Sequence, residues 1–289
     1  MARNKEKGYI GTYKSAGDKK KMKSAMELRR QSFGENLSFA ASEAYKLLRT
    51  NLMFSMSDES ECKVVGVTSA LRGEGKSTTA LNLAHSLAES GKNTILVEAD
   101  MRIPVVASML RIESVPGLSH ILAGLADLND GVQKTELSKN LSVLPAGEIP
   151  PNPSEMLSSK RMQLAIETLA KAFDYIIIDL PPINAVSDGL AVSKLLSGMI
   201  MVVRQDYCDQ HSLAEAMRQL EFLKIKLLGF VLNGADSQSN RYRYGGKNKY
   251  YKSAYGYGQR YGRKSKYEAK YVNDVNEAAS SYSVASDEN

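Results

Sequence analysis

Residues 64–77 read Val64-Val65-Gly66-Val67-Thr68-Ser69-Ala70-Leu71-Arg72-Gly73-Glu74-Gly75-Lys76-Ser77. The first five form an apolar, β-branched run, as expected of a buried parallel strand. Residues 76–90 place Ala80, Leu83, Ala84, Leu87 and Ala88 at helical spacing. Between strand and helix lies a glycine-punctuated turn, Ala70 to Ser77. Gly73 and Gly75 lack a Cβ, so the backbone N–H groups of such a turn can approach phosphate oxygens. Arg72, Gly73, Glu74, Gly75, Lys76, Ser77 and Thr78 are therefore the expected phosphate-cradling residues. Lys76 reaches the β- and γ-phosphates as a point charge, and the Ser77 hydroxyl is suited to Mg²⁺. The helix N-terminus adds its own preference for an anion. Ala70 stands where this motif usually begins with glycine, a mild change that keeps a small side chain.

Two further apolar strands end in acids. Thr94-Ile95-Leu96-Val97-Glu98-Ala99-Asp100 is followed by Met101 and Arg102, and Tyr175-Ile176-Ile177-Ile178-Asp179 by Leu180-Pro181-Pro182. In parallel sheets ligands bind beyond the carboxyl ends of the strands, where these acids fall. A carboxylate there can hold Mg²⁺ directly or through one of its waters. The chain beyond continues the alternation. Residues 154–171 read as a helix capped by Ser154 and residues 187–196 as a helix. Residues 199–204 read as a strand, 210–224 as a helix and 227–232 as a last strand. The implied fold is α/β, a mostly parallel sheet with helices on both faces.

Downstream, ten of the fifteen tyrosines fall within residues 242–282. Tyr242, Tyr244, Tyr250, Tyr251, Tyr255, Tyr257, Tyr261, Tyr267 and Tyr271 stand among Gly, Ser, Lys and Arg, without periodic aliphatic residues. Such a segment cannot bury enough apolar surface to offset ordering, so disorder is expected of it. A triphosphate site and a run of phenolic acceptors on one chain point to phosphorylation of tyrosine, the chain's own included.

The loop, the Glu98-x-Asp100-x-Arg102 segment and Ile176-Ile177-Ile178-Asp179-x-x-Pro182 resemble the Walker A, A′ and B motifs of bacterial tyrosine kinases, which are P-loop NTPases. Glu43-Ala44-Tyr45-Lys46-Leu47-Leu48-Arg49 is similar to the family's ring-forming helix motif, E-x-x-R-x-x-R. Leu144 to Glu155 is similar to its proline-rich connecting segment. The resemblance implies ATP and Mg²⁺ as cofactors, with Lys76, Glu98, Asp100, Arg102 and Asp179 as catalytic residues. Ser77, Asp100 and Asp179 are implied as the metal ligands, Glu98 or Asp100 as the base, and Arg102 as a group that orients these acids. It gives Asn233 as a reader of adenine, although a turn residue is an equal reading of a lone Asn. It further implies a ring-like homo-oligomer, an octamer being one form, held through Glu43, Lys46 and Arg49. A separate membrane-bound activator and a cognate tyrosine phosphatase are the implied partners. The implied role is control of capsular or exopolysaccharide synthesis or export, from the cytoplasm at the inner face of the plasma membrane.

The sequence departs from the family in two places besides Ala70. Glu98 stands where aspartate is usual, which leaves the base open. Lys46 replaces an arginine, keeping the charge but losing its planar fork. The H-R-D and D-F-G signatures of eukaryotic kinases are absent from the sequence. Two rival readings are a partitioning-type P-loop ATPase switch and an inactive nucleotide-binding scaffold. Leu71, where the switch ATPases carry a lysine, opposes the first. Intact Lys76, Ser77 and Asp179 oppose the second.

Composition completes the division. Of 289 residues, 43% are hydrophobic, enough for one full α/β core. The expected parts are a basic segment 1–36, a kinase domain 37–236 and a tyrosine-rich tail 237–289. Their net charges are +6, −5 and +5 within a total of +6. Basic ends on an acidic core suit solubility and steering of the tail toward an acidic active-site rim, or equally an anionic membrane surface. Nucleic acid is the weaker alternative, because the core carries no known nucleic-acid module. No apolar run approaches the roughly 20 residues that cross a bilayer, and no apolar stretch follows the amino terminus as in a secretory signal. Cys62 and Cys208 lack metal-ligand spacing and are expected to be reduced thiols.

Overall fold

The computed structural model describes residues 33–56 and 62–235. The tail tyrosines and most of the basic amino-terminal segment lie outside the described residues.

The described chain begins with a 3₁₀ turn, Gly34–Asn36, and helix α1, Phe39–Ser55. Strand β1 (Lys63–Ser69), helix α2 (Lys76–Glu89) and strand β2 (Thr94–Glu98) follow. Three short helices come next: α3 (Val106–Leu110), α4 (Leu118–Ala123) and α5 (Leu128–Gly131). Strands β3 (Gln133–Lys134) and β4 (Leu141–Leu144) lead to α6 (Pro153–Leu157) and α7 (Lys160–Ala170). The remaining elements are β5 (Tyr175–Asp179), α8 (Asp188–Ala191), β6 (Gly198–Arg204), α9 (Gln210–Phe222) and β7 (Leu227–Asn233).

The seven-stranded sheet has the order β3-β4-β2-β5-β1-β6-β7. Its pairings are parallel except β3 against β4. Side-chain alternation gives each central strand two apolar faces. Val64, Ile95, Val97, Ile176 and Ile178 pack on one side with Leu118, Met162, Ile166, Leu169 and Leu220 of α4, α7 and α9. Val65, Val67, Leu96 and Ile177 pack on the other with Leu52, Leu81, Leu83, Leu87 and Met109 of α1, α2 and α3. The continuous apolar runs of β1, β2 and β5 are thus buried on both faces, as the sequence implies.

Several boundaries differ from the sequence reading. The strand read as 94–100 ends at Glu98, so Asp100 belongs to the turn beyond it. The helix read as 154–171 is two, α6 and α7. Ser159 breaks it, its hydroxyl accepting the amide of Met162 at 3.3 Å as the N-cap of α7. Ser154 is no cap; its hydroxyl donates to Asp188. The helix read as 187–196 is only the turn α8 and a 3₁₀ turn, Ser193–Leu195. Strands β3 and β4 and the helices between Val106 and Gly131 went unread, because two-to-six-residue elements carry too few repeats to show a period.

Candidate active site

The carboxyl ends of β1, β2 and β5 converge, Val67 and Glu98 both lying in register with Asp179. The phosphate loop leaves β1 and enters α2, whose N-cap is Gly75 in the left-handed region. Gly73 and Gly75 have φ of 88° and 93°. A Cβ on Gly75 would lie 2.1 Å from the Asn233 amide nitrogen, so space and backbone both demand glycine there.

Lys76 is buried at the start of α2. Its Nζ donates to Asp100 Oδ2 at 2.7 Å and stands 3.8 Å from Asp179 Oδ1. Burial works against its charge, but Asp179 and Asp100 outweigh that and raise its pKa. Asp100 is held in turn by the Ile103 amide, which donates to Oδ1 at 3.2 Å. Asp179 is fully buried, and neither of its carboxylate oxygens has a hydrogen-bond partner. Burial raises its pKa, and the Lys76 charge opposes the rise. Ser77 Oγ lies 3.4 Å from Lys76 Nζ.

Two orphaned carboxylate oxygens beside a lysine and a serine hydroxyl suit a divalent cation, which would supply what Asp179 lacks. No cluster of three or more His, Cys, Asp or Glu side chains is gathered among the described residues. A hard cation held by one or two carboxylates together with phosphate oxygens and water fits this arrangement.

Glu98 sits otherwise than its neighbour two residues on. Its side chain is buried in a pocket of amides, Oε1 accepting from Val105 at 2.5 Å and Val106 at 2.7 Å, Oε2 from Ala146 at 3.1 Å. Burial pushes its pKa up to about 7 against the pull of these amides. It fastens the start of α3 and the Pro145–Gly147 segment to the sheet. The geometry directs Asp100, not Glu98, toward Lys76 and Asp179.

Arg102 does not orient Glu98 or Asp100 by direct contact. It forks onto Asp188, Nε to Oδ2 at 2.6 Å and Nη2 to Oδ1 at 3.0 Å. Burial raises the Asp188 pKa, but the Arg102 and Ser154 donors prevail and hold it below the usual carboxylate range. Sequence reasoning missed Asp188. The signal was an acid opening the turn after Pro181-Pro182, but its partner lies 86 residues earlier.

Glu74 is also turned inward, its carboxylate accepting from the Leu71 amide at 2.6 Å and the Arg204 amide at 3.2 Å. Its backbone remains in the cradle, whereas its side chain is a brace. Arg72 is exposed at the loop tip. Asn233, at the end of β7, donates to the Glu74 carbonyl at 2.7 Å. On α1, Glu43 and Lys46 form an exposed ion pair at 2.8 Å. Arg49 reaches the α2 carbonyl of Ser86 at 2.7 Å within its own chain.

A buried lysine at the head of a helix, a glycine-hinged loop and an acid at the end of a neighbouring parallel strand define a P-loop NTPase. Residues 62–225 match the AAA domain model AAA_31. The chain is 41% identical over 207 residues to tyrosine-protein kinase YwqD of Bacillus subtilis, covering 71% of this chain and 86% of that protein. The crystal structure of the chimerical protein CapA2B2 superposes with a TM-score of 0.64 at 33% identity, over 68% of this chain and 86% of that one. The kinase domain of Escherichia coli tyrosine kinase ETK does so with 0.64 at 32% identity, over 68% and 76%. The chain belongs to the bacterial tyrosine-protein kinase family.

Proposed function

We propose that the chain transfers the γ-phosphoryl group of ATP to tyrosines of its own carboxyl-terminal cluster, residues 242–282, in a neighbouring copy. The observation that carries this is Lys76 set between Asp100 and Asp179 above the glycine-hinged loop. Phosphoryl transfer asks chiefly for positioning and charge neutralisation. In this reading the loop amides and Lys76 hold the β- and γ-phosphates, so Lys76 exchanges Asp100 for phosphate when nucleotide arrives. Asp179, Ser77 and Asp100 would hold Mg²⁺, which supplies positive charge at the phosphates. Asp100 accepts the tyrosine proton. Glu98 keeps the floor of the site in place from its amide pocket.

The cellular role proposed is control of capsular or exopolysaccharide synthesis or export. It is exercised from the cytoplasm beside the inner membrane face, with a membrane-bound activator, a ring of like copies and a phosphatase that resets the tail. No helix among the described residues is long and apolar enough to cross a membrane, which is compatible with recruitment by another protein. Relatives named tyrosine-protein kinase leave the ATPase-switch and scaffold readings without support of their own.

Intact mass and site mapping after incubation with Mg-ATP test the proposal, with the Lys76→Met chain as control. Several phosphates on residues 242–282, lost in the variant, are expected. No phosphate on the wild type, even with the cytoplasmic tail of a membrane activator present, would overturn it in favour of an ATPase switch or scaffold.

A further inference from the structure

A phosphate loop works only if its peptide N–H groups face the anion. In a peptide unit N–H and C=O point in opposite directions, so holding the carbonyl outward holds the amide inward. Glycines at 73 and 75 leave these planes free to flip. Three consecutive carbonyls of this loop are nevertheless each held by a side chain at or just beyond the carboxyl ends of β6 and β7, the two strands on one side of β1. Tyr207 Oη donates to the Arg72 carbonyl at 2.9 Å. Arg204 Nη1 donates to that of Gly73 at 3.2 Å, and Asn233 Nδ2 to that of Glu74 at 2.7 Å. The Arg204 guanidinium lies 5.3 Å from the centre of the Tyr207 ring, so the two support each other.

We propose that Tyr207 and Arg204 are positioning residues for the triphosphate, a brace that keeps the loop amides turned inward before nucleotide binds. This rests on the reading of the loop as the ATP site. The brace holds carbonyl oxygens, which would repel phosphate, away from the cradle. Neither side chain needs to touch nucleotide to do this. Tyr207 is 51% exposed, so its hydroxyl contributes little to the core and can be removed without opening a cavity.

The test is titration of a fluorescent N-methylanthraniloyl ADP with Mg²⁺ into the full chain, as wild type, Tyr207→Phe and Arg204→Lys. Loss of the Tyr207 hydroxyl is expected to raise Kd about fivefold, the worth of one ordinary hydrogen bond. Arg204→Lys, which keeps the charge but loses the planar guanidinium that both reaches the Gly73 carbonyl and stands over the Tyr207 ring, should weaken binding in the same direction. In kinase assays the loss should fall on KM for ATP more than on kcat, with the thermal midpoint of the nucleotide-free chain unmoved. Unchanged Kd in both variants would overturn the brace, as would a fall in the thermal midpoint without a change in Kd. If Tyr207→Phe fails to fold, Arg204→Lys alone decides. A wild-type chain that binds no nucleotide would overturn the functional reading, and the brace with it.

Discussion

The carboxyl end of the sheet and the flank formed by α1 and β7 are built on opposite terms. At the sheet end, Glu74, Glu98, Asp179 and Asp188 are all buried, though burying carboxylates is costly. Three of them are compensated by named donors, and Asp179 faces Lys76 with both oxygens unbonded. On the flank, charge is exposed and apolar surface is not covered. Glu43 and Lys46 pair in solvent, while Phe39 and Phe54 on α1 and Phe230 and Leu232 on β7 stand more than half exposed. Polar groups are buried where chemistry needs them fixed. A surface left apolar shows no such constraint, and its ion pairs are expected to matter little.

The sharpest break in that contrast is at Lys76 and Asp179. Lys76→Met or Asp179→Asn should lower tyrosine phosphorylation by about 100-fold or more, as loss of a key electrostatic group does elsewhere. Incorporation of labelled γ-phosphate reads this directly, and an effect under tenfold would mean that the buried pair is structural only.

Next comes the Arg102–Asp188 fork. Arg102→Ala leaves buried Asp188 with Ser154 as its remaining side-chain donor, at a cost of about 1–3 kcal/mol, below the range for fully buried pairs because the arginine is 44% exposed and Ser154 still donates. Denaturant unfolding of the two single variants and the double variant would show it. The double Arg102→Ala, Asp188→Ala should recover part of the loss, and simple additivity would count against the coupling.

Glu98 gives a pH test. Its pKa is raised from 4.5 to about 7 on folding, so the folded chain binds more protons than the unfolded one within that window. Its contribution to stability is therefore greatest below pH 4.5 and falls as pH rises toward 7, by on the order of 3 kcal/mol. Unfolding free energies across that range should flatten in Glu98→Gln relative to wild type. Parallel pH profiles would mean that the amide donors already keep the carboxylate charged.

The smallest effect belongs to the flank. Glu43→Ala or Lys46→Ala should change monomer stability by no more than about 0.5 kcal/mol, as exposed pairs do. A change above 1 kcal/mol would erase the contrast.

Much of the site was legible because its signals are local. Gly73, Gly75, Lys76 and Ser77 stand within five positions, and the acids follow apolar runs directly. The exact partners were not legible. Glu98 and Asp100 are two residues apart in one motif, yet one faces backbone amides from two later segments and the other faces Lys76. Asp188 reads as an ordinary turn acid until Arg102 is folded against it. The break at Ser158-Ser159 is not legible in the sequence because residues on both sides keep apolar positions that continue one helical pattern.

What the sequence by itself determined is the parallel α/β class, the phosphate loop and the family, since turn geometry, long apolar runs and motif spacing are properties of neighbouring residues. Only the tertiary structure decided which carboxylate is free for chemistry and which is a fastening. It also decided that Arg204, Tyr207 and Asn233 hold the loop from 131 to 159 residues away along the chain. The physical reason is that a buried polar group must find its donor in space, and the sheet, by stacking β1 between β5 and β6, chooses which distant residues are there.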